Sequence, residues 1–189
     1  GLAPDDRFSH AVWDVGAAAL ANTLSRRLGA PLYQARISRL VYDCNRSPDR
    51  ADAMPDRVER ISIPGNAALT DGERAARTRE VYNNFHTGLA ALIDRFQAPP
   101  ALVTIHSFTP HWNGHPRDTQ IGLLHDADPS LARAMLAAAD SAFRTELNEP
   151  YSAADGVTHM LARHGTARGL SNVMIEVRND LLATDEQVA

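Results

Sequence analysis

The stretch Val173-Met174-Ile175-Glu176-Val177 decides the fold class. Its β-branched residues alternate along the chain, which is typical of a strand because successive side chains point to opposite faces. Two further apolar runs, Ala101–Ile105 and Ile121–Leu124, also predict short buried strands. Helical patterns separate these runs. The alternation of helices and apolar strands predicts an α/β fold in which helices cover both faces of a sheet, giving three layers.

The helices are predicted from apolar residues at helical spacing and from residues that begin or end a helix. Thr70 and Glu73 form a capping-box pattern, and the helix that follows would bury Val81, Phe85, Leu89, Leu92 and Phe96. Three other helices are predicted: residues 9–29, capped by Ser9 and ended by Gly29; residues 128–147, opened by Asp128-Pro129; and residues 156–164.

The remaining segments are less regular. Pro31–Ile37 reads as a strand, and Arg39–Tyr42 reads as a second short one. Asp43 to Asn66 is a polar loop that contains several Pro and Gly residues, and long loops in compact domains are often functional. Because no repeat or linker interrupts the chain, we predict one domain over residues 1–189.

Composition excludes several classes of protein. The 189 residues are 44% hydrophobic and 22% charged, which is typical of a globular chain, and the net charge of −4 disfavours a nucleic-acid partner. No apolar run is long enough to span a membrane. All 19 basic residues are Arg, which excludes a catalytic Lys, and a single Cys favours a reducing, cytoplasmic setting. The sequence indicates no oligomeric state.

Polar residues follow or interrupt the predicted strands, where α/β sheets place their sites. Asn45-Arg46 follows the strand near residue 40, His106 follows the strand from Ala101, and Glu176 lies inside the last strand. Each also has a structural interpretation: a turn beside a surface Arg, a hydrogen-bonded core His, and an ion pair between Glu176 and Arg178 or another Arg. A carboxylate within an apolar strand costs several kcal/mol unless it is paired or binds a ligand.

Taken together, these side chains suit a particular chemistry. A neutral imidazole binds zinc, a carboxylate activates the water bound to the metal, and an Arg holds an anionic substrate through a bidentate fork. With eight His against one Cys, a metal site would use mainly nitrogen and oxygen ligands. This set suits hydrolysis of an amide next to a carboxylate.

Five segments, in order, carry a resemblance to a known family. They are Ser38–Arg46 (SRLVYDCNR), Ile63–Asn66 (IPGN), Ile105–Pro110 (IHSFTP), Asn148–Tyr151 (NEPY) and Glu176–Asp180 (EVRND). Together they resemble the N-formylglutamate amidohydrolase family over nearly the whole chain. The resemblance implies a fold of the zinc-carboxypeptidase and phosphorylase/hydrolase-like kind, with a mixed, mostly parallel sheet. It also implies a zinc cofactor and a small N-acyl amino acid, such as N-formylglutamate, as substrate.

The resemblance also implies roles for individual residues. His106 would be a zinc ligand, Asn45 and Arg46 would grip the substrate carboxylate, and Glu176 would activate the water. Asp14, in the segment Trp13-Asp14-Val15-Gly16, is the candidate carboxylate ligand, with an interaction near a helix start as its alternative. We assign Arg178 to substrate binding as well. His86 matches a family position, and a supporting or structural role is expected for it.

Two departures from the family pattern keep other hypotheses open. Relatives usually begin with a strand and a His-Ala-(Ser or Gly)-Asn segment that would supply the first metal ligand, and this sequence starts after that point. Where Pro-Arg-Pro-Trp-His is expected, it has Pro116-Arg117-Asp118-Thr119-Gln120. The alternatives to N-formyl amino acid hydrolysis are therefore an amidohydrolase for another N-acyl amino acid or a peptide, and a non-catalytic carboxylate-binding relative.

Overall fold

The strand predicted around Ile175 is formed, and it lies in the interior of the main sheet, with a strand on each side. The structure is a computed structural model that describes residues 2–188, apart from the side chain of Asp185. The α-helices are α1 (Ala17–Leu28), α2 (Asp71–Arg77), α3 (Asn84–Ile93), α4 (Ser130–Ala137) and α5 (Asp185–Val188). The strands are β1 (Arg57–Val58), β2 (Ile61–Ser62), β3 (Leu102–Phe108), β4 (His111–Trp112), β5 (His115–Pro116), β6 (Ile121–Leu124), β7 (Thr145–Leu147) and β8 (Asn172–Arg178).

The chain consists of two compact units. One, the loop unit, comprises residues 1–13 and 33–97. The other, the sheet unit, comprises residues 14–32 and 98–189 and holds all four strands of the main sheet. The prediction of a single domain over residues 1–189 stays a prediction.

The main sheet has the strand order β3-β8-β6-β7. The pairs β3–β8 and β6–β7 are parallel, whereas β6 and β8 run antiparallel. The predicted strands Ile121–Leu124 and Val173–Val177 lie at their expected places, and the strand from Ala101 continues to Phe108. The α/β class with a mixed, mostly parallel sheet is confirmed.

Helices cover the sheet because the residues of β8 alternate between two apolar faces. On one face, Val173 packs with Leu123 and with Ala132 of α4. Further along that face, Val177 packs against the C-terminal residues and α1; the residues of this cluster are Leu20, Ile175, Leu181, Leu182 and Val188. On the other face, Met174 packs with Leu124 and with Leu161 of a π-helical turn. The sheet unit is therefore built in the three layers expected.

The loop unit is built around one long helical segment. The capping box of Thr70 and Glu73 is confirmed, and it opens α2, which continues through the π-helical turn Thr78–Asn83 into α3. The buried residues of the turn and of α3 are Tyr82, His86, Leu89 and Ile93. The buried positions are therefore largely displaced by one residue from the predicted stripe Val81 to Phe96, of which only Leu89 is buried. The wider π turn changes which residues face the core.

The first predicted helix begins later than the sequence suggested. It starts at Ala17 rather than near Ser9, because Gly16 has a left-handed backbone (φ +79°) that interrupts the helix. A side chain at Gly16 would overlap Leu182. The predicted stop at Gly29 is confirmed by its left-handed φ of +61° and by its N–H, which donates to Ser25 O.

Two predicted strands are wrong. Among the described residues, neither Pro31–Ile37 nor Arg39–Tyr42 pairs with another strand, and most of their side chains are exposed or half-buried. Arg39–Tyr42 is a turn in which Val41 N donates to Ser38 O. Apolar residues alone therefore did not make these segments strands, because a strand also needs a partner for its backbone.

Two predicted helices have different bounds. The helix opened by Asp128-Pro129 ends at Ala137, because Asp140 starts a turn and Thr145–Leu147 then pairs with β6. Backbone pairing in the sheet overrode the helical propensity of the Ala-rich segment. The helix expected from Gly156 starts only at residue 159, because Gly156 ends a short 3₁₀ turn. Within residues 2–188, no helix combines the length and the apolar character that crossing a bilayer requires.

Candidate active site

His106 and Glu176 lie side by side in the sheet unit. They are register partners on the neighbouring parallel strands β3 and β8, so their side chains project from the same face of the sheet. On the other side of Glu176, the register partner is Gly122 of β6. Glu176 is only 6% exposed. We call this arrangement of His106, Glu176 and Gly122 the site row.

Asp14 joins this row from the turn that precedes α1. Its Oδ2 lies 2.7 Å from Nδ1 of His106, although the two residues are 92 positions apart in sequence. Ser107 Oγ donates to the carbonyl oxygen of Val15 at 2.7 Å, which ties the same turn to β3. Both members of the pair remain partly accessible, with side chains 28% (His106) and 19% (Asp14) exposed.

The side chains of His106 and Asp14 are two metal ligands of the kind that zinc prefers. One imidazole nitrogen and one carboxylate match the nitrogen and oxygen ligands of catalytic zinc sites, which normally take three protein ligands. Among the described residues, no group of three or more His, Cys, Asp or Glu side chains is arranged to hold a metal. The donor types therefore fit zinc, and a complete centre would need one ligand more than this pair.

Gly122 has a packing reason to be glycine. A side chain there would overlap the carbonyl oxygen of Glu149, so this backbone carbonyl lies directly against the site row. Glu149 belongs to the segment Asn148–Tyr151, in which Asn148 has a φ of +52° and the Glu149-Pro150 bond is cis. Asn148 Oδ1 accepts the backbone N–H of His125, just after β6. The Asn148–Tyr151 motif thus covers one end of the row, a role that the sequence did not predict.

The guanidinium of Arg178, at the end of β8, makes hydrogen bonds to neighbouring loops. Its Nε and Nη2 donate to the two carboxylate oxygens of Asp180 at 2.8 and 3.2 Å, and its Nη1 donates to Arg117 O at 2.8 Å. Arg178 thus pairs with Asp180 and not with Glu176, so the structural alternative of an ion pair between Glu176 and Arg178 is not formed, while the alternative of a pair with another Arg is untested. The contacts of Arg178 order the loops after β5 and β8. Its assignment to substrate binding stays a prediction.

Asn45 and Arg46 lie on a turn of the loop unit that Asp43 organises. Asp43 Oδ1 accepts Asn45 N at 2.9 Å, Asp43 O accepts Arg46 N at 2.9 Å, and Arg39 Nη2 donates to Asp43 Oδ2 at 2.8 Å. Arg46 Nε donates to Asp52 at 3.2 Å. Hydrogen bonds from Arg50, with the charge of Arg46 adding to them, hold the pKa of Asp52 below its usual range. This geometry presents Arg46 as a fixed cation.

The backbone before that turn is held by a buried asparagine. Asn66, which is 4% exposed, donates through Nδ2 to Leu40 O at 2.8 Å and to Pro55 O at 2.7 Å. Its Oδ1 accepts Arg77 Nη1 at 2.7 Å, and Arg77 also donates to Val41 O and Gly65 O. This explains the Ile63–Asn66 motif, which fixes the segment leading to Asn45 and Arg46. Sequence reasoning assigned no role to Asn66 or Arg77.

His86 completes this support. Its Nε2 lies 3.0 Å from the carbonyl oxygen of Cys44, so it donates to the residue directly before Asn45. The ring also packs on Tyr82, with 4.1 Å between ring centroids. Burial raises the pKa of the Cys44 thiol to about 12, so this residue stays protonated at neutral pH. His86 therefore has the structural place that was expected, and Cys44 acts as a small core residue.

The comparisons with known proteins agree with the motifs. The family model described as N-formylglutamate amidohydrolase matches residues 1–183. The chain belongs to this family. It is a family of amide-bond hydrolases, so the predicted family and enzyme class are confirmed. A small-molecule substrate follows from that class.

A solved structure supports the assignment of the fold. The crystal structure of gene product Atu2144 from Agrobacterium tumefaciens is 48% identical and superposes with a TM-score of 0.97, covering 100% of this chain and 77% of that one. No curated protein matches the chain significantly. The assignments of Asp14, Asn45, Arg46, His106 and Glu176, the zinc cofactor and the cytoplasmic setting stay predictions.

Proposed function

We propose that this member of the family hydrolyses the amide bond of an N-formyl amino acid such as N-formylglutamate, producing formate and the free amino acid. The observation that carries the proposal is the contact of His106 with Asp14 beside Glu176 on one face of the sheet. A His and an Asp that can bind a metal, next to a nearly buried carboxylate that can act as a base, suit metal-assisted hydrolysis of an amide by water.

In this proposal, His106 and Asp14 hold a divalent metal, zinc by resemblance. When bound, the metal would polarise a carbonyl oxygen and make water a better nucleophile at neutral pH. The imidazole and carboxylate suit this ion, and the third ligand that a stable centre requires is additional to them. The partial exposure of both side chains leaves them accessible to an ion and a substrate.

Glu176 acts as the general base. Its carboxylate takes a proton from the attacking water as the water oxygen bonds to the formyl carbon. The same proton then passes from Glu176 to the amide nitrogen, the carbon–nitrogen bond breaks, and the amine leaves with formate as the other product. The strand holds Glu176 in place throughout, so little reorganisation accompanies the transfers.

Asn45 and Arg46 bind the substrate carboxylate in this proposal. The guanidinium of Arg46 is fixed by Asp52 and by the carbonyl oxygen of Asn45, which Nη1 reaches at 3.2 Å. A planar guanidinium recognises a carboxylate through two parallel hydrogen bonds. Arg46 would therefore contribute to orientation and specificity rather than to bond breaking.

A second substrate class is favoured by the segment Asp118-Thr119-Gln120. Here Thr119 Oγ1 donates to Glu146 Oε2, Gln120 Oε1 accepts Arg144 N, and Asp118 pairs with Arg144. These side chains are committed to β7 and the turn before it, whereas many relatives are expected to have Pro-Trp-His. The second candidate function is therefore an amidohydrolase for another N-acyl amino acid or a peptide.

A panel of substrates tests the proposal. The protein, supplied with zinc, is assayed with N-formyl-L-glutamate, N-acetyl-L-glutamate, N-formyl-L-methionine and a formylated dipeptide, with the free amine quantified in each. We expect the highest kcat/KM for an N-formyl amino acid. A clear preference for the acetyl or peptide substrate would replace the first substrate class by the second. Binding of these compounds without any turnover would favour the non-catalytic alternative.

A further inference from the structure

Arg117 lies in a setting unlike that of the other arginines of the sheet unit described above. It directly follows β5, and its guanidinium carbon lies 5.5 Å from the ring centroid of Phe108, 5.1 Å from that of Trp112 and 4.9 Å from that of Tyr151. We call these three rings the aromatic cage. Cation–π contacts of this kind stabilise a guanidinium without neutralising its charge.

The polar contacts of Arg117 are also with neutral groups. Its Nη2 donates to the hydroxyl of Tyr151 at 3.0 Å and its Nη1 to Thr109 O at 3.3 Å. No described carboxylate lies within ion-pair distance of it, in contrast to Arg144 and Arg178. Of the five N–H groups of a guanidinium, two are used in this way, which leaves three for a ligand.

The cage is adjacent to the site row. Phe108 is two residues beyond His106 on β3, so it projects from the same face about 7 Å further along the strand. Tyr151 follows the segment whose Glu149 carbonyl covers Gly122. Arg178, two residues beyond Glu176, donates to the backbone carbonyl of Arg117. Three contacts with the elements that build the row thus hold Arg117 beside it.

We propose that Arg117 is a specificity-determining residue that binds a side-chain carboxylate of the substrate. The aromatic cage packs against the guanidinium, and its remaining N–H groups are available to an anion. A half-buried cation with only neutral partners favours an anionic ligand, because the ligand supplies the missing charge. This inference rests on the proposed hydrolase function, and it adds the residue that would recognise the acidic side chain of the substrate.

The test compares two substrates that differ only in charge. Values of kcat and KM are measured for N-formyl-L-glutamate and N-formyl-L-glutamine with the wild type, Arg117→Gln and the matched control Arg133→Gln, an exposed arginine on α4. We expect Arg117→Gln to lower kcat/KM for the glutamate substrate about 10- to 100-fold, mainly through KM. The glutamine substrate should change less than about threefold, and the control should leave both unchanged.

Two further variants separate specificity from folding. Arg117→Gln keeps the backbone carbonyl that accepts Arg178, so its thermal midpoint should stay close to that of the wild type. Arg117→Lys keeps the charge and should retain part of the preference for glutamate, whereas Tyr151→Phe removes one hydrogen bond and should weaken the preference only a few-fold. Equal losses for both substrates, or a loss confined to kcat, would overturn the proposal.

A binding measurement keeps this result separate from the proposed function. Calorimetry with L-glutamate and L-glutamine, the two free amino acids, needs no turnover. A preference for glutamate that Arg117→Gln abolishes supports the assignment of Arg117, even if no formate is released from either substrate. No preference in the wild type, or a preference that persists in Arg117→Gln, overturns it.

Discussion

The two units hold their proposed functional residues in different ways. In the sheet unit, His106 and Glu176 are on neighbouring strands, and the hydrogen bonds between β3 and β8 fix their relative position. In the loop unit, Asn45 and Arg46 are on a turn whose approach is fixed by side chains, mainly Asn66 through Leu40 O and Pro55 O. The residues of the sheet unit are positioned by backbone pairing, and those of the loop unit by side-chain hydrogen bonds.

This difference determines what a mutation does. A side chain on a strand can be changed while the backbone bonds of the strand remain, so a substitution in the site row should affect chemistry more than stability. A buried side chain that bonds to several carbonyl groups leaves them unsatisfied when it is removed, and each such group costs about 1–3 kcal/mol. Substitutions in the loop unit's network should therefore affect stability first.

The largest expected effect is that of Glu176→Gln. The amide cannot accept a proton as the carboxylate does, and loss of a general base typically lowers kcat 10²–10⁴-fold. We expect a fall of about 10³-fold in kcat for formate release, with KM within a few-fold and an unchanged thermal midpoint. Glu186→Gln, at an exposed residue of α5, is the matched control and should retain full activity.

If Glu176→Gln failed to fold, the two units would not differ in the way described. The carboxylate would then be part of the structure of the strand, as Asn66 is in its own unit. Near-normal turnover in a folded variant would instead show that Glu176 is not the base.

The next effect concerns Asn66→Ala in the loop unit. The substitution removes the donor for two carbonyl groups and the acceptor for Arg77, so we expect the free energy of unfolding to fall by about 3 kcal/mol. Urea denaturation measures it, with Asn83→Ala, an exposed asparagine of the π turn, as the control. A loss below about 0.5 kcal/mol would mean that the turn is held by other contacts.

The smallest effect is a pH dependence in the sheet unit. His164 is 3% exposed, and its pKa is lowered to about 4, first by burial and then by the charges of Arg163, Arg168 and His159. The unfolded chain would protonate this residue near 6.5, so it binds more protons than the folded chain between pH 6.5 and 4. The contribution of His164 to the free energy of unfolding is therefore fully present above pH 6.5 and is lost as the pH falls through this window.

Between pH 7.5 and 5, this residue should account for about 2 kcal/mol of lost unfolding free energy. The free energy of unfolding is measured at both pH values, and its change is compared between the wild type and His164→Gln. His115→Gln, in the exposed β4–β5 hairpin, is the control. The pH dependence should shrink by that amount in His164→Gln alone. An unchanged dependence would assign it to other groups.

Strands with a strong apolar pattern were predictable from the sequence. Ile121–Leu124 and Val173–Val177 were placed correctly because their pattern and their burial agree. Thr145–Leu147 was missed because its pairing with β6 depends on a distant segment, and Pro31–Ile37 was overpredicted because no strand pairs with it. Local patterns report propensity, whereas strand formation also needs a partner.

The candidate site was also predictable only in part. His106 and Glu176 were candidates from their positions along the predicted strands, and Asp14 from the family resemblance. The structure brings these three into one unit. No local pattern indicated that Asn66 would bond to Leu40 and Pro55, or that three rings would surround Arg117. Those contacts join residues that only the folded chain brings together, so the sequence alone could not reveal them.

The most direct test of the proposed hydrolase is formate release from N-formyl-L-glutamate before and after removal of metal. We predict that the protein releases formate and glutamate in equal amounts, that a chelator abolishes the reaction, and that zinc restores it in the wild type but not in His106→Asn. No formate release from the zinc-supplied protein, or a rate that neither chelation nor His106→Asn changes, would contradict the account.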